Sequence, residues 1–234
     1  MKKIISLILI LTVSITLTAC NKEKTNKDAL AFKEEYESLN GENNKKGTEY
    51  RKLDIDEDNP YVKTTAEKIV EMINNKETFY LYVGDSMCPW CRSVLEESIE
   101  VARDNDIEKI YYIEIWDDEG NEILRDKYEL KDGKINKISD GTKAYKELLK
   151  KFDKVLSNYT LKDENENEIE VGEKRIFAPN YFYIENGKVK KMVEGISEKQ
   201  ADPYEELTDD ILDDEEEQFE DLFKSDSTCK VGGC

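Results

Sequence analysis

The chain has no histidine. That absence removes Ser-His and Cys-His nucleophilic sites, histidine-bearing zinc sites and imidazole proton relays. Any proton acceptor must be a carboxylate, a lysine, a tyrosine or water. Positive charge is also in deficit: 35 Lys and Arg stand against 54 Asp and Glu, a net charge of -19. Such a surface lacks the basic footprint that phosphate binding needs, which argues against nucleic acid as a partner. It also disfavours adsorption to anionic lipid heads. Proline occurs four times and cysteine five times in 234 residues, so the position of each is informative. With 38% hydrophobic residues the chain is apolar enough to build a core, and 38% charged residues imply long solvated faces.

Met1-Lys2-Lys3 followed by Ile4 to Ala19 is a short basic start and an apolar run that ends in small residues. It is short for a membrane span and reads as an export signal over residues 1–19. The polar stretch from Asn21 to Lys27 is a tether, Asp28 to Leu39 has helical spacing and stops at Asn40-Gly41, and the compact domain is expected to begin near Tyr50, leaving 20–49 as tether and short helix.

Within the domain, Asn59-Pro60 reads as a cap and first helical residue opening a helix through Ile73. Phe79 to Val83 is a continuous apolar and aromatic run suited to a strand covered on both faces. Arg92 to Asp104 is amphipathic, and Ile110 to Trp116 is the next strand. Gly120 to Tyr128 and Thr142 to Leu156 read as helical. Asn158 to Leu161 with Glu168 to Val171, and Tyr181 to Glu185 with Val189 to Glu194 around Asn186-Gly187, read as hairpins. Asp202-Pro203 reads as the cap of a last helix reaching about Lys224, with a dense acidic face. The tail, 225–234, carries Cys229 and Cys234.

Between the apolar strand and the amphipathic helix lies Gly84-Asp85-Ser86-Met87-Cys88-Pro89-Trp90-Cys91. A thiolate is the species that attacks a disulfide. Cys88 at the helix N-cap faces unpaired backbone N–H groups and the positive end of the helix dipole, which favour its anion. Cys91, one turn in, is shielded and suited to resolving. Pro89 fits the first helical position, where its absent N–H is not needed. Trp90 offers a flat apolar surface beside the sulfur. Arg92 can favour the anion and Asp85 can oppose it. The competing reading is a four-cysteine zinc site with Cys229 and Cys234; the strand-to-helix setting weighs against it. Cys229 and Cys234 can instead form a structural disulfide, or a mobile pair that relays electrons to the site. Pro179, before the second hairpin, is expected in cis and beside the cysteines.

These residues resemble the thioredoxin-like thiol–disulfide oxidoreductases, most closely the thioredoxin-like lipoproteins of Gram-positive bacteria. Leu17-Thr18-Ala19-Cys20, Met87-Cys88-Pro89-Trp90-Cys91-Arg92, Phe177-Ala178-Pro179-Asn180 and the closing acidic helix carry the resemblance, over about 50–224. It implies an α/β thioredoxin fold: a central mixed sheet flanked by helices, here with an insertion over about 117–171 before the antiparallel strand pair. It implies that Cys20 is lipid-modified, palmitate included, and anchors the protein on the extracytoplasmic face of the cell membrane. Cys88 would be the nucleophile and Cys91 the resolving thiol, with Pro89, Trp90, Ala178 and Pro179 lining a groove for protein thiols and disulfides. No cofactor or metal is implied. The chain departs from the family at Tyr82, where thioredoxins carry a buried aspartate, and in having Pro-Trp between the cysteines. The direction of exchange is set by the reduction potential of the pair and not by its spacing. The alternative is a non-enzymatic thioredoxin-like lipoprotein that serves as a binding or accessory factor in export or envelope assembly.

Overall fold

The computed structural model describes residues 27–117 and 119–224. The export signal, Cys20, Cys229 and Cys234 lie outside the described residues. The core is a five-stranded mixed sheet of β1 (Tyr61–Lys63), β2 (Phe79–Gly84), β3 (Ile110–Glu114), β8 (Asn180–Glu185) and β9 (Lys188–Val193), in the order β1-β3-β2-β8-β9. β1 and β2 run parallel to β3, whereas β8 runs antiparallel to both β2 and β9.

Period-two alternation sends the two faces of β2 to different cores. Tyr80 and Tyr82 point into a cluster with α1 (residues 27–37), α3 (Pro89–Asp104) and α5 (Asp209–Phe223). Phe79, Leu81 and Val83 point into a second cluster with α2 (Ala66–Asn74) and α4 (Lys143–Phe152). β8 repeats the division, with Tyr181 and Tyr183 on the first side and Phe182 and Ile184 on the second. The molecule is therefore a sheet between two helical layers, and all six residues of β2 are buried.

Several expectations shift. The helix assigned to the tether is part of the body: Phe32 and Tyr36 of α1 are fully buried in the first cluster, so the packed unit extends upstream of Tyr50. Asn59 does not cap a helix. Its amide donates to the carbonyls of Ala29 and Asp56 and its oxygen accepts from the Tyr61 N–H, which commits Tyr61–Lys63 to pairing with β3. The helix begins at Ala66, capped by Thr65, whose hydroxyl accepts from the Lys68 N–H at 3.3 Å.

No helix forms over 120–128. Arg125 and Asp126 are buried there, and the chain goes on into a hairpin of β4 (Lys127–Lys131) and β5 (Lys134–Ser139). Its turn is Asp132-Gly133, with φ of 50° and 71° at the two residues, the left-handed pair that a tight primed turn requires. The 117–171 stretch is not one insertion. α4 packs on the sheet through Tyr145, Leu148 and Phe152, and two hairpins stand on either side of it, β4–β5 and β6 (Asn158–Lys162) with β7 (Glu168–Lys174). The last helix starts at Asp209, after a Thr208 N-cap, and not at Tyr204. Asp202 instead closes a local turn by accepting from the Tyr204 N–H. Among the described residues, no helix is long and apolar enough to cross a membrane.

Candidate functional site

Cys88 occupies the N-cap of α3 with extended backbone, and Pro89 takes the first helical turn. The Cys88 sulfur accepts from the Cys91 N–H at 3.4 Å. Its thiol is also 3.4 Å from the Ala178 carbonyl, to which it donates. The Ala178–Pro179 peptide is cis, so this expectation is met, and the loop lies against the cysteine turn. Both cysteines are free thiols. Cys88 keeps 5% of its surface and Cys91 none: a reagent from solvent can reach only the first.

The two thiols differ in acidity. Cys88 is pulled below the ordinary thiol value by the hydrogen bond with the Cys91 thiol, further aided by the Cys91 and Trp90 N–H groups, against burial and the charge of Asp85. Cys91 is pushed well above it by burial, then by the Cys88 thiol it bonds; the Tyr82 hydroxyl and the Asp85 N–H act the other way. The pair is an asymmetric dithiol, with one sulfur ready to ionise and one held protonated.

Asp85 is buried, and both its oxygens are engaged: Oδ1 accepts from the Met87 N–H at 3.0 Å and Oδ2 from the Trp116 N–H at 2.9 Å. It joins the cysteine turn to the end of β3. Burial pushes its carboxyl up to about 7. Arg92 does not face the thiols. Its guanidinium is buried and donates to the carbonyls of Arg51, Tyr36 and Ser86 and to the Asn40 side chain. It braces the turn from behind.

Trp90 and Ala178 are half-buried against the first cluster. Met87 and Phe177 are likewise half-exposed beside them in the chain. Behind the proline loop sits a compact ionic group. Glu122 accepts from the Arg125 guanidinium at 2.7 Å and lies 3.4 Å from that of Arg175. Arg125 also donates to the Ile176 carbonyl and Arg175 to the Asp126 carbonyl. The chain reaches Phe177-Ala178-Pro179 from this anchor. Sequence reasoning overlooks Arg125 and Arg175. The available signal is scarcity: the sequence has five arginines among its 35 cations, and a fork of five donors is selected where several carbonyls must be satisfied at once.

Among the described residues, no group of three or more His, Cys, Asp or Glu side chains is arranged to hold a metal ion. A scan against protein-family models finds no match to the chain, and a search of curated proteins finds none either.

Proposed function

We propose that the protein is a thiol–disulfide oxidoreductase of thioredoxin fold, exported and held on the extracytoplasmic face of the membrane through lipid on Cys20. The observation that carries the activity is the asymmetric dithiol: Cys88 at the helix N-cap with its sulfur on the Cys91 N–H, and Cys91 sealed beneath it. The fold reading is supported by the strand order β1-β3-β2-β8-β9 and by a cysteine turn that follows β2. The lipobox-like Leu17-Thr18-Ala19-Cys20 supports the location.

In the reducing direction the Cys88 thiolate attacks one sulfur of a substrate disulfide. That S–S bond breaks, a mixed disulfide to Cys88 forms, and the released substrate thiolate takes a proton. Cys91 then attacks the Cys88 sulfur, closing the Cys88–Cys91 disulfide and releasing the second substrate thiol. Two electrons pass from the dithiol to the substrate. The same steps reversed oxidise a substrate dithiol.

Alkylation of Cys88 by iodoacetamide across pH tests the reading. The expected midpoint lies below the ordinary thiol value of about 8.5, and a Cys91→Ser variant accumulates mixed disulfides with cell-surface proteins. A midpoint at the ordinary value together with no trapped partner would sink the enzyme reading and leave the accessory-factor role.

A further inference from the structure

The cysteine turn and the cis-proline loop are joined from behind by a chain of contacts that the thiol chemistry does not use. The turn leaves β2 at Gly84, where a Cβ would fall inside the Tyr82 ring. Asp85 comes next and ties the turn to the end of β3 by accepting from the Trp116 N–H at 2.9 Å. Trp116 pairs with Glu122 through an isolated antiparallel bridge. At Glu122 the tie passes from backbone to side chain. Its two carboxyl oxygens accept from the Arg125 backbone N–H at 3.1 Å and from the Arg125 guanidinium at 3.1, 3.0 and 2.7 Å. That guanidinium lies over the Trp116 ring at 5.9 Å and donates onward to the Ile176 carbonyl at 3.4 Å, one residue before Phe177. Arg175 donates to the Asp126 carbonyl at 2.7 Å and to Glu122 at 3.4 Å. It also lies over the Tyr159 ring at 4.3 Å, and that ring stands 6.2 Å from Phe177. The contact of the Cys88 thiol with the Ala178 carbonyl closes the circuit.

The side chains of Glu122, Arg125 and Arg175 are exposed by only 8%, 7% and 10%, so solvent screens them little. One carboxylate serves two guanidiniums. The nearest other carboxylate, Asp126, is taken by the Gly141 N–H at 2.9 Å and by Lys137 at 2.8 Å. Glu122 therefore holds two positive groups together, and without its charge they would repel inside a closed space.

We propose that Glu122, Arg125 and Arg175 are positioning residues for substrate: they fix the separation between the cysteine turn and Phe177-Ala178-Pro179, so that a polypeptide carrying the disulfide can lie between the two. The inference rests on the exchange reaction proposed above. A small disulfide needs only the Cys88 sulfur, whereas a polypeptide must fit both walls of the groove at once. The cluster therefore acts on the binding of polypeptide disulfides and leaves the reactivity of the thiol alone.

The test uses the full chain with Cys20, Cys229 and Cys234 changed to Ser, reduced and then mixed with an excess of one of two probes. One is a small aromatic disulfide whose released thiolate is coloured. The other is a peptide disulfide that becomes fluorescent when its two halves separate. Varying the peptide concentration gives a half-saturating concentration and a limiting rate. Glu122→Gln keeps the shape of the side chain and removes its charge. It is expected to raise the half-saturating peptide concentration about tenfold, with the limiting rate and the reaction of the small disulfide within about twofold of wild type. The triple variant Glu122→Leu/Arg125→Met/Arg175→Met removes all three charges together, so it reads the same effect should Glu122→Gln fold poorly. An unchanged half-saturating concentration in either folded variant overturns the proposal. Equal slowing with both probes also overturns it, since the cluster would then act on the thiol and not on the groove. A wild-type reaction with the small disulfide no faster than that of a free small-molecule thiol overturns the exchange reaction itself.

Discussion

Arg92 shows how one side chain can settle the position of the cysteine turn without facing its thiols. Its guanidinium bonds acceptors from α1, from residues 40 and 51 and from the cysteine turn, and it lies over the Tyr50 ring at 5.6 Å. None of the bonded acceptors carries a charge, so the arrangement depends on the fork geometry and not on an ion pair. Lysine offers three donors from a single point and cannot reach the same set. Arg92→Lys is expected to destabilise the fold by about 3 kcal/mol, the cost of leaving several buried carbonyls unpaired. Denaturant unfolding measures this. A midpoint equal to wild type would show that the bracing is dispensable.

Helix α5 carries a contradiction on its inward stripe. Ile211, Phe219, Leu222 and Phe223 are buried as an apolar face should be, but Glu215 is buried with them, and neither of its carboxyl oxygens has a hydrogen-bond partner. Burial, followed by the charge of Glu97 on α3, pushes it up to about 8, with Arg51 opposing. Glu215→Met should stabilise the protein by about 1–3 kcal/mol, since an unpaired buried carboxyl is replaced by an apolar side chain of similar length. A loss of stability in thermal unfolding would refute this. The helix itself was legible in the sequence, because its 3.6-residue stripe is local. Its start was not: Asp202-Pro203 imitates a cap, and only the turn that Asp202 closes with Tyr204 shows where that side chain is spent. Asn59 misleads for the same reason, its donors being used 30 residues away on Ala29. Asp132-Gly133 is a strong turn signal, and the helical reading of Gly120 to Tyr128 passes over it. The cysteine turn was readable to the residue, since an N-cap and a first-turn proline depend only on adjacent positions. Tyr36, Arg125 and Arg175 were not readable as parts of the site, because each reaches it through contacts more than 40 residues apart in sequence.

For the molecule as a whole, carboxyl groups withheld from water set the response to pH. Asp85 and Glu97 are both pushed up to about 7 by burial, and Glu215 to about 8. In the unfolded chain each returns to its ordinary value near 4, so between these limits the folded protein binds more protons than the unfolded one. Stability must then fall as pH rises from about 4 to about 8. Below that window the exposed carboxylates held low by their partners, among them Asp140 with Lys146 and Lys137 and Asp214 with Lys199 and Ser197, lose those contacts on protonation, and stability falls again. The expected optimum lies near pH 4, and calorimetric unfolding at intervals from pH 3 to 8 locates it. Glu215→Met should flatten the alkaline side of the curve. A stability maximum at pH 8 in the wild type would contradict the assignment.

The space that Tyr82 occupies over Gly84 also constrains how this sequence can drift. A side chain at 84 requires the ring at 82 to be gone first, whereas a smaller residue at 82 leaves the glycine with nothing to accommodate. Of the two orders in which the positions can be replaced, one passes through a clash inside the core and the other passes through a cavity. Replacement of Gly84 is therefore expected to be tolerated only once Tyr82 has been replaced, and not in the reverse order.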